Sequence, residues 1–410
     1  MCLPFASRLP HQLNSRRASA FTLIELLVSM TFLVILMLVV TQVIGIVQRT
    51  WVRSNSRVSQ FREARTSFDV VTRTLTQATL NTYWMNDFDV LSSDSIGQSR
   101  SKAKSYVRQS ELQFICGPTP TVLTQAASNK SNYPGHAVFF QAPLGVTKLV
   151  TVSATSTTEA STENLVNLMC GRGYFVEWGT DASFRPAFLD SLNTVPLRSR
   201  LRLMEFSPTA EMNKIYAEVN RPLVDNTTGT NNGKKWYNTE VFSSNNIISS
   251  NETAQSRAFT RPVAENILAL IISPQNEKQL KTSGGSTTPL YAIAPNYIWD
   301  STLTSQPGSS ASTSNPQGTQ HLLPPQLKVT MIALDQASGE YLAREENNEM
   351  REALLSQVAG LFTTASKFQA DLRGDNDDKL GGLEGALVAN KLNYRIFTTT
   401  ISLKQSRWSL

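Results

Sequence analysis

The chain is poor in the residues that most often carry catalysis or bind metals. Its 410 residues include only three histidines and three cysteines, and these show no close spacing of the kind that holds zinc. The motifs GxSxG, HExxH and CxxC and the P-loop are all absent. The sequence therefore predicts a protein that is not an enzyme and that needs no cofactor.

The charge pattern gives no indication of a nucleic-acid partner. The net charge of +6 is mild, and no basic stripe with interleaved aromatic residues runs along the chain. Nucleic-acid-binding proteins usually show such a stripe, because lysines and arginines must follow the phosphate backbone. We therefore predict no nucleic-acid partner.

The cysteines leave two interpretations open. Cys2 lies near the start of the chain, so only Cys116 and Cys170 remain as a pair within the body of the protein. In an exported protein this pair could form a disulfide. The alternative is two separate, buried and reduced thiols.

One long apolar run stands out from the rest of the chain. It extends from Phe21 to Val47, and Glu25 is its only charged residue; the next charge is Arg49. At about 1.5 Å per residue the run is long enough to cross a hydrocarbon core of roughly 30 Å. A single membrane-spanning helix is therefore predicted at residues 21–47.

The residues around the start of this run resemble a known processing motif. The basic segment RRASA precedes FTLIELLV, and this arrangement is similar to the type IV prepilin motif. The resemblance implies cleavage between Ala20 and Phe21 by a prepilin peptidase, N-methylation of Phe21 by the same enzyme, and a role for Glu25 in filament assembly. The family usually has glycine before the cut, and here Ala20 stands in that place.

The alternative is an ordinary signal anchor that keeps its first twenty residues, with Glu25 reaching the nearby interface. Arginines lie on both sides of the span, so the positive-inside count does not favour a cytoplasmic N-terminus. The prepilin resemblance does favour it. We accordingly expect a single-pass inner-membrane protein with a periplasmic or extracellular C-terminal head.

A helical pattern continues beyond the span. Apolar residues recur at spacings of three, four and seven, at Trp51, Val58, Phe61, Ala64, Phe68, Val71, Leu75 and Ala78. This pattern predicts that the helix is amphipathic over residues 48–80. We expect that half to lie on the protein's own head, with a coiled-coil partner as the alternative.

The remainder, residues 81–410, predicts a β-rich head. The expected strands are Leu112–Cys116, Ala137–Gln141, Tyr174–Trp178, Leu201–Phe206, Ile267–Ile272, Gln326–Leu334 and Tyr394–Leu403. Polar tracts rich in Ser, Thr, Asn and Gly predict long mobile loops at Thr151–Asn164, Asp225–Ser256, Thr282–Thr288 and Ser301–Gln320. A second amphipathic helix is predicted from Glu346 to Leu372.

One acidic cluster in the head is a candidate calcium site. Asp371, Asp375, Asp377 and Asp378 supply the oxygen ligands that calcium prefers, although Lys379 breaks the EF-hand spacing. The sequence favours a solvated loop over a calcium site here.

Later motifs extend the resemblance. QLKVTMIALD follows a proline pair and is similar to the late strand of J-type minor pseudopilins of type II secretion systems. FFQAPLG and NYRIFTTTISLKQSRWSL resemble the Verru_Chthon cassette protein C family of pilin-like proteins. The resemblance implies an α+β, pilin-like fold, with a leader at 1–20, a helix at 21–80 and an antiparallel β-rich head at 81–410.

Two functions follow as expectations, together with their partners. The first is a minor pilin or pseudopilin, whose partners are the prepilin peptidase and methylase, other pilin subunits and the inner membrane. The second is a signal-anchored periplasmic binding or adhesive protein that does not polymerise. A third, an anchored hydrolase, would require a pocket with converging titratable groups.

Overall fold

The computed structural model describes residues 22–88, 103–146, 167–185, 188–189, 195–216, 236–243, 257–275, 293–302, 321–374 and 381–406. By internal contacts the chain divides into two units, residues 1–56 and 57–410. The first contains the apolar part of the long helix α1, which runs from Leu23 to Leu75. The second contains the end of α1 and every strand of the described residues.

The second unit is built on three antiparallel sheets. Strands β1 (Tyr83–Phe88) and β2 (Ala103–Gln109) form a two-stranded ribbon. The largest sheet has the order β7-β6-β5-β4-β3-β9, with β3 at Ile115–Pro118, β4 at His136–Pro143, β5 at Met169–Gly179, β6 at Arg200–Phe206, β7 at Thr260–Glu265 and β9 at Trp299–Asp300. The third sheet has the order β11-β10-β8, with β8 at Ile267–Gln275, β10 at Gln326–Leu334 and β11 at Tyr394–Ser402.

Besides six 3₁₀ helices of three to five residues, five short α-helices have their bounds described. They are α2 (Thr119–Val122), α3 (Gln336–Ala343), α4 (Asn348–Gly360), α5 (Phe368–Arg373) and α6 (Gly382–Ala389). The α+β class with antiparallel sheets is therefore confirmed.

The six-stranded sheet is buried on both faces, which explains its continuous apolar runs. In β4, Val138 and Phe140 belong to the core shared with α1 and the three-stranded sheet, whereas Ala137 and Phe139 belong to a second core. Side chains alternate between the two faces of a strand, so a run such as AVFF fills both cores at once.

A single residue connects the two larger sheets. Asn266 lies between β7 and β8 and has φ 59°, a left-handed conformation that asparagine tolerates better than most residues. Its backbone nitrogen donates to the carbonyl of Leu201, and its carbonyl accepts from the nitrogen of Leu334. The chain thereby changes sheets within one residue.

The structure corrects the prediction of a mobile loop at Asp225–Ser256. Within that range residues 236–243 are described, and Trp236, Tyr237 and Val241 are buried in the second core. The ring of Tyr237 stacks on Phe139 with the centroids 4.0 Å apart. Three apolar residues in a polar tract are enough to fix this segment, because aromatic side chains bury a large area each. The tracts at 151–164 and 282–288 lie outside the described residues.

The second amphipathic helix was predicted too long. Instead of one helix at Glu346–Leu372, the structure has α4 and α5 separated by residues 361–367. Phe362 has φ 55° and is fully buried. Its nitrogen donates to Asp371 Oδ2 at 2.9 Å and its carbonyl accepts from His136 Nε2 at 2.8 Å. Tertiary hydrogen bonds therefore interrupt a pattern that is periodic in the sequence.

Candidate functional site

The first candidate site is the exposed apolar surface of the N-terminal helix. Among the described residues, Leu23–Val52 is the one helix segment long and apolar enough to span a membrane; its most apolar window of 18 residues has a mean hydropathy of 2.8, and none of that window is buried. Its aliphatic side chains are exposed on every side, from 85% at Leu23 to 44% at Val40. A soluble protein rarely exposes an apolar surface of this extent.

Three hydroxyl side chains within this segment are already hydrogen-bonded to the helix itself. The hydroxyls of Ser29, Thr31 and Thr41 donate to the carbonyls of Leu26, Val28 and Met37 at 2.9, 2.8 and 2.8 Å. Such bonds to the preceding turn satisfy hydroxyls without water, which an apolar surrounding requires. The segment is therefore suited to hydrocarbon or to the surface of neighbouring helices.

Glu25 lies in the first turn of α1. The carbonyl of Thr22 accepts from the backbone nitrogens of Glu25 and Leu26, at 3.0 and 3.2 Å. A carboxylate in the first turn interacts favourably with the positive end of the helix dipole. Ala20 and Phe21, the predicted cleavage and methylation residues, lie outside the described residues.

The second half of α1 buries apolar side chains against the head where those side chains are described. Ala64, Phe68, Val71 and Leu75 are buried in the main core of the second unit. The ring of Phe68 contacts the ring of Phe397 on β11, with the centroids 6.0 Å apart. This part of the helix therefore packs on its own head, as expected, and needs no coiled-coil partner to cover its apolar face.

The two cysteines are not bridged. Cys116 and Cys170 are separate buried thiols. Cys116 pairs with Val138 on β4, whereas Cys170 pairs with Ala142 on the same strand. That offset along β4 is about 13 Å, whereas a disulfide needs Cα atoms within roughly 7 Å. The structure therefore agrees with two separate reduced thiols and not with a disulfide.

Burial also makes both thiols unreactive. It raises the pKa of Cys116, and it raises the pKa of Cys170 as well. The Sγ of Cys170 donates to the carbonyl of Val146 at 3.3 Å. Neutral thiols are poor nucleophiles, so these residues serve as small core side chains.

The predicted calcium cluster is described only at one end. Asp371 lies in α5, and its Oδ2 accepts from the backbone of Phe362; Asp375, Asp377 and Asp378 lie outside the described residues. Over the described part of the chain, no group of three or more acidic, histidine or cysteine side chains is arranged to hold a metal ion. The calcium site stays a prediction that the described residues do not test.

His136 is a structural residue of the core. Its ring is fully buried, with Nδ1 accepting from the nitrogen of Ile272 at 3.0 Å and Nε2 donating to the carbonyl of Phe362 at 2.8 Å. Burial lowers the pKa of His136 to about 4. The neutral ring thus joins β4, β8 and the segment between α4 and α5, and both of its nitrogens are occupied.

A polar cleft in the head was not predicted from the sequence. It has a volume of about 200 Å³ and includes Glu177, Phe184 and Arg257 in its lining. Arg257 donates to both carboxylate oxygens of Glu177 at 2.6 Å, and its guanidinium carbon lies 5.6 and 5.2 Å from the ring centroids of Phe184 and Phe242. In the sequence, the cleft is indicated only by Glu177, a charged residue within the apolar run YFVEW.

The lining of the cleft is organised around one mostly buried ion pair. Its described lining includes the hydroxyl side chains of Thr180 and Ser183 and contains neither histidine nor cysteine. The Arg257–Glu177 pair is bidentate, with both side chains mostly buried, which is the geometry of a pair that fixes the local structure.

Comparison of the chain with protein-family models, with curated proteins and with solved structures finds no match.

Proposed function

We propose that this chain is a pilin-like structural subunit, a minor pilin or pseudopilin of a type IV pilus-like or type II secretion-like filament. In this proposal a prepilin peptidase cleaves between Ala20 and Phe21 and methylates Phe21. The mature subunit is held in the inner membrane by one helix, with its head on the periplasmic or extracellular side. It then moves into a filament of similar subunits and performs no catalysis.

The observation that carries the proposal is the form of the N-terminal helix. A segment of 30 residues is apolar and unburied, has a carboxylate in its first turn and follows the basic sequence RRASA. A helix that must leave the membrane and pack among others needs an apolar surface on every side. A helix that only anchors a protein needs no acidic residue near its start.

The packing of the end of α1 adds support. Ala64, Phe68, Val71 and Leu75 lie in the core of the head, so the helix and the head share one folded unit there. Burying the aliphatic side chains of several neighbouring helices together would supply the cohesion of a filament, at about 25 cal/mol per Å² of apolar surface.

A second function is a signal-anchored binding or adhesive protein that does not polymerise. The exposed aromatic side chains of the β1–β2 ribbon favour it, since Tyr83, Trp84 and Tyr106 are 44%, 64% and 71% exposed. Exposed aromatic residues are common at binding surfaces. This function predicts a chain that keeps its first twenty residues.

The deciding experiment is intact-mass analysis and N-terminal sequencing of the protein extracted from membranes. A chain that begins at a methylated Phe21 supports the pilin-like subunit. A chain that begins at Met1 supports the signal anchor.

A matched pair of variants tests the position of the cut. Ala20→Phe places a bulky side chain before the scissile bond and should leave the full-length precursor in the membrane. Ala20→Gly should be processed at least as fast as the wild type. Normal mature protein from Ala20→Phe would show that the cut lies elsewhere.

A further inference from the structure

Arginine and tryptophan residues lie at the C-terminal end of the apolar segment. Arg49 is the first charge after Glu25, and it is exposed. Trp51 is 68% exposed and Val52 is 60% exposed. Another arginine follows at position 53, one turn further along the same helix.

The spacing of the charges fits the thickness of a bilayer. The rise from Glu25 to Arg49 is about 36 Å in an α-helix, and the hydrocarbon core is roughly 30 Å thick. Both charges can therefore lie just outside the hydrocarbon, one in each headgroup layer, when the helix stands upright. The whole segment Leu23–Val52 of 30 residues is then about 45 Å long, the thickness of a bilayer with its headgroups.

The residue types at this end match the chemistry of a lipid interface. Tryptophan prefers the headgroup level, because its ring is apolar while its N–H needs a hydrogen-bond partner. Arginine pairs with phosphate oxygens through its planar, forked donors. Arg49 and Trp51 follow directly on the apolar surface, so the same bilayer that covers that surface places phosphate groups beside them.

We propose that Arg49 and Trp51 form a headgroup collar that binds anionic phospholipids where the helix leaves the membrane. This inference rests on the proposed membrane storage of the subunit. The collar fixes the depth of the stored helix, and it adds a lipid contact that must be released when the subunit enters a filament. It also accounts for an arginine on the side of the membrane where the positive-inside rule does not expect it.

The test measures which lipids lie next to Trp51. The full-length wild-type chain is reconstituted into vesicles that contain either brominated phosphatidylglycerol or brominated phosphatidylcholine. The fluorescence of Trp51 is obtained as the difference from the Trp51→Phe chain. We expect phosphatidylglycerol to be preferred by about fivefold or more, since one arginine near a charged surface contributes roughly 1 kcal/mol, and we expect 1 M salt to weaken the preference.

Two variants locate the source of the preference. The variant Arg49→Gln should bring the preference close to one while leaving the chain in the membrane fraction. Arg65→Gln removes an exposed arginine that lies 16 residues beyond Arg49 in the same helix and should leave the preference unchanged.

The remaining outcomes overturn the inference in distinguishable ways. A wild-type preference of one, or a preference that survives Arg49→Gln, shows that the collar does not bind anionic lipid, and membrane storage is unaffected by that result. Absence of quenching by both lipids shows that Trp51 is not at a bilayer, which overturns the collar and membrane storage together.

Discussion

His136 should make the stability of the protein depend on pH in a defined window. Its folded-state pKa of about 4 lies below the ordinary histidine value of 6.5, because burial disfavours the charged ring. Between these values the unfolded chain binds a proton that the folded chain does not, so the free energy of unfolding falls as the pH falls from 6.5 to 4. The loss amounts to about 3 kcal/mol and is complete below the folded-state pKa.

The comparison that isolates this effect is His136→Gln. Glutamine stays neutral at every pH, so the variant lacks the one-proton slope. At pH 7 it should be less stable than the wild type by about 1–3 kcal/mol, because the backbone nitrogen of Ile272 or the carbonyl of Phe362 loses its partner. That difference in stability should shrink steadily towards pH 4, because only the wild type has a histidine at this position that takes up a proton on unfolding.

Urea unfolding of the detergent-solubilised chain, followed by tryptophan fluorescence, measures both curves. Trp236 and Trp299 are buried in the head and report its unfolding. Val138→Ala is the matched control, because Val138 lies two residues along the same strand in the main core and cannot titrate. It should lower stability by a similar amount at every pH. Parallel curves for the wild type and His136→Gln would refute the reasoning.

The remaining predictions concern assembly, packing and the thiols. The Glu25→Val variant should insert into the membrane and be processed normally, but pull-down and imaging assays should show that it fails to enter filaments. The Glu25→Asp variant should keep part of its ability to assemble. Full assembly of the valine variant would show that Glu25 has no role in assembly. Gly339→Ala should lower the free energy of unfolding by about 1–3 kcal/mol, because the new Cβ would lie 1.9 Å from Asn266 Oδ1; an unchanged urea midpoint would contradict this packing. Denatured but unreduced mature protein should titrate two thiols, from Cys116 and Cys170, and no free thiol would mean that they are bridged.

The elements that could be predicted from the sequence are those that a single local pattern of apolar and polar residues determines. Gln326–Leu334 was predicted with its observed bounds, and the strand at Tyr394 ends at Ser402 in place of Leu403. Both alternate along their length, and a proline pair introduces the first. The apolar half of α1 was equally plain, because no other element accommodates so long an uncharged run.

The elements that were missed depend on distant partners. The ribbon strands β1 and β2 carry little alternation, and β9 contains only Trp299 and Asp300, so pairing with β3 alone defines it. The strand β7 contains Pro262, which argues against a strand but is tolerated here at the edge of the sheet. Neither the break at Phe362 nor the burial of Trp236 is visible in local composition, because both result from contacts made far along the chain.

The internal hydrogen bonds of Ser29, Thr31 and Thr41 bear on how a filament of such helices could deform. Because each of these hydroxyls already donates to its own helix, neighbouring helices meet a surface with few directional polar groups, and their attraction depends on contact area more than on rotation or axial offset. Small slides and rotations between subunits should therefore cost little, while separation should cost a great deal. A filament held in this way would stretch and twist under load before it broke, and Glu25 would be the one charged group in the segment Leu23–Val47 to oppose the sliding.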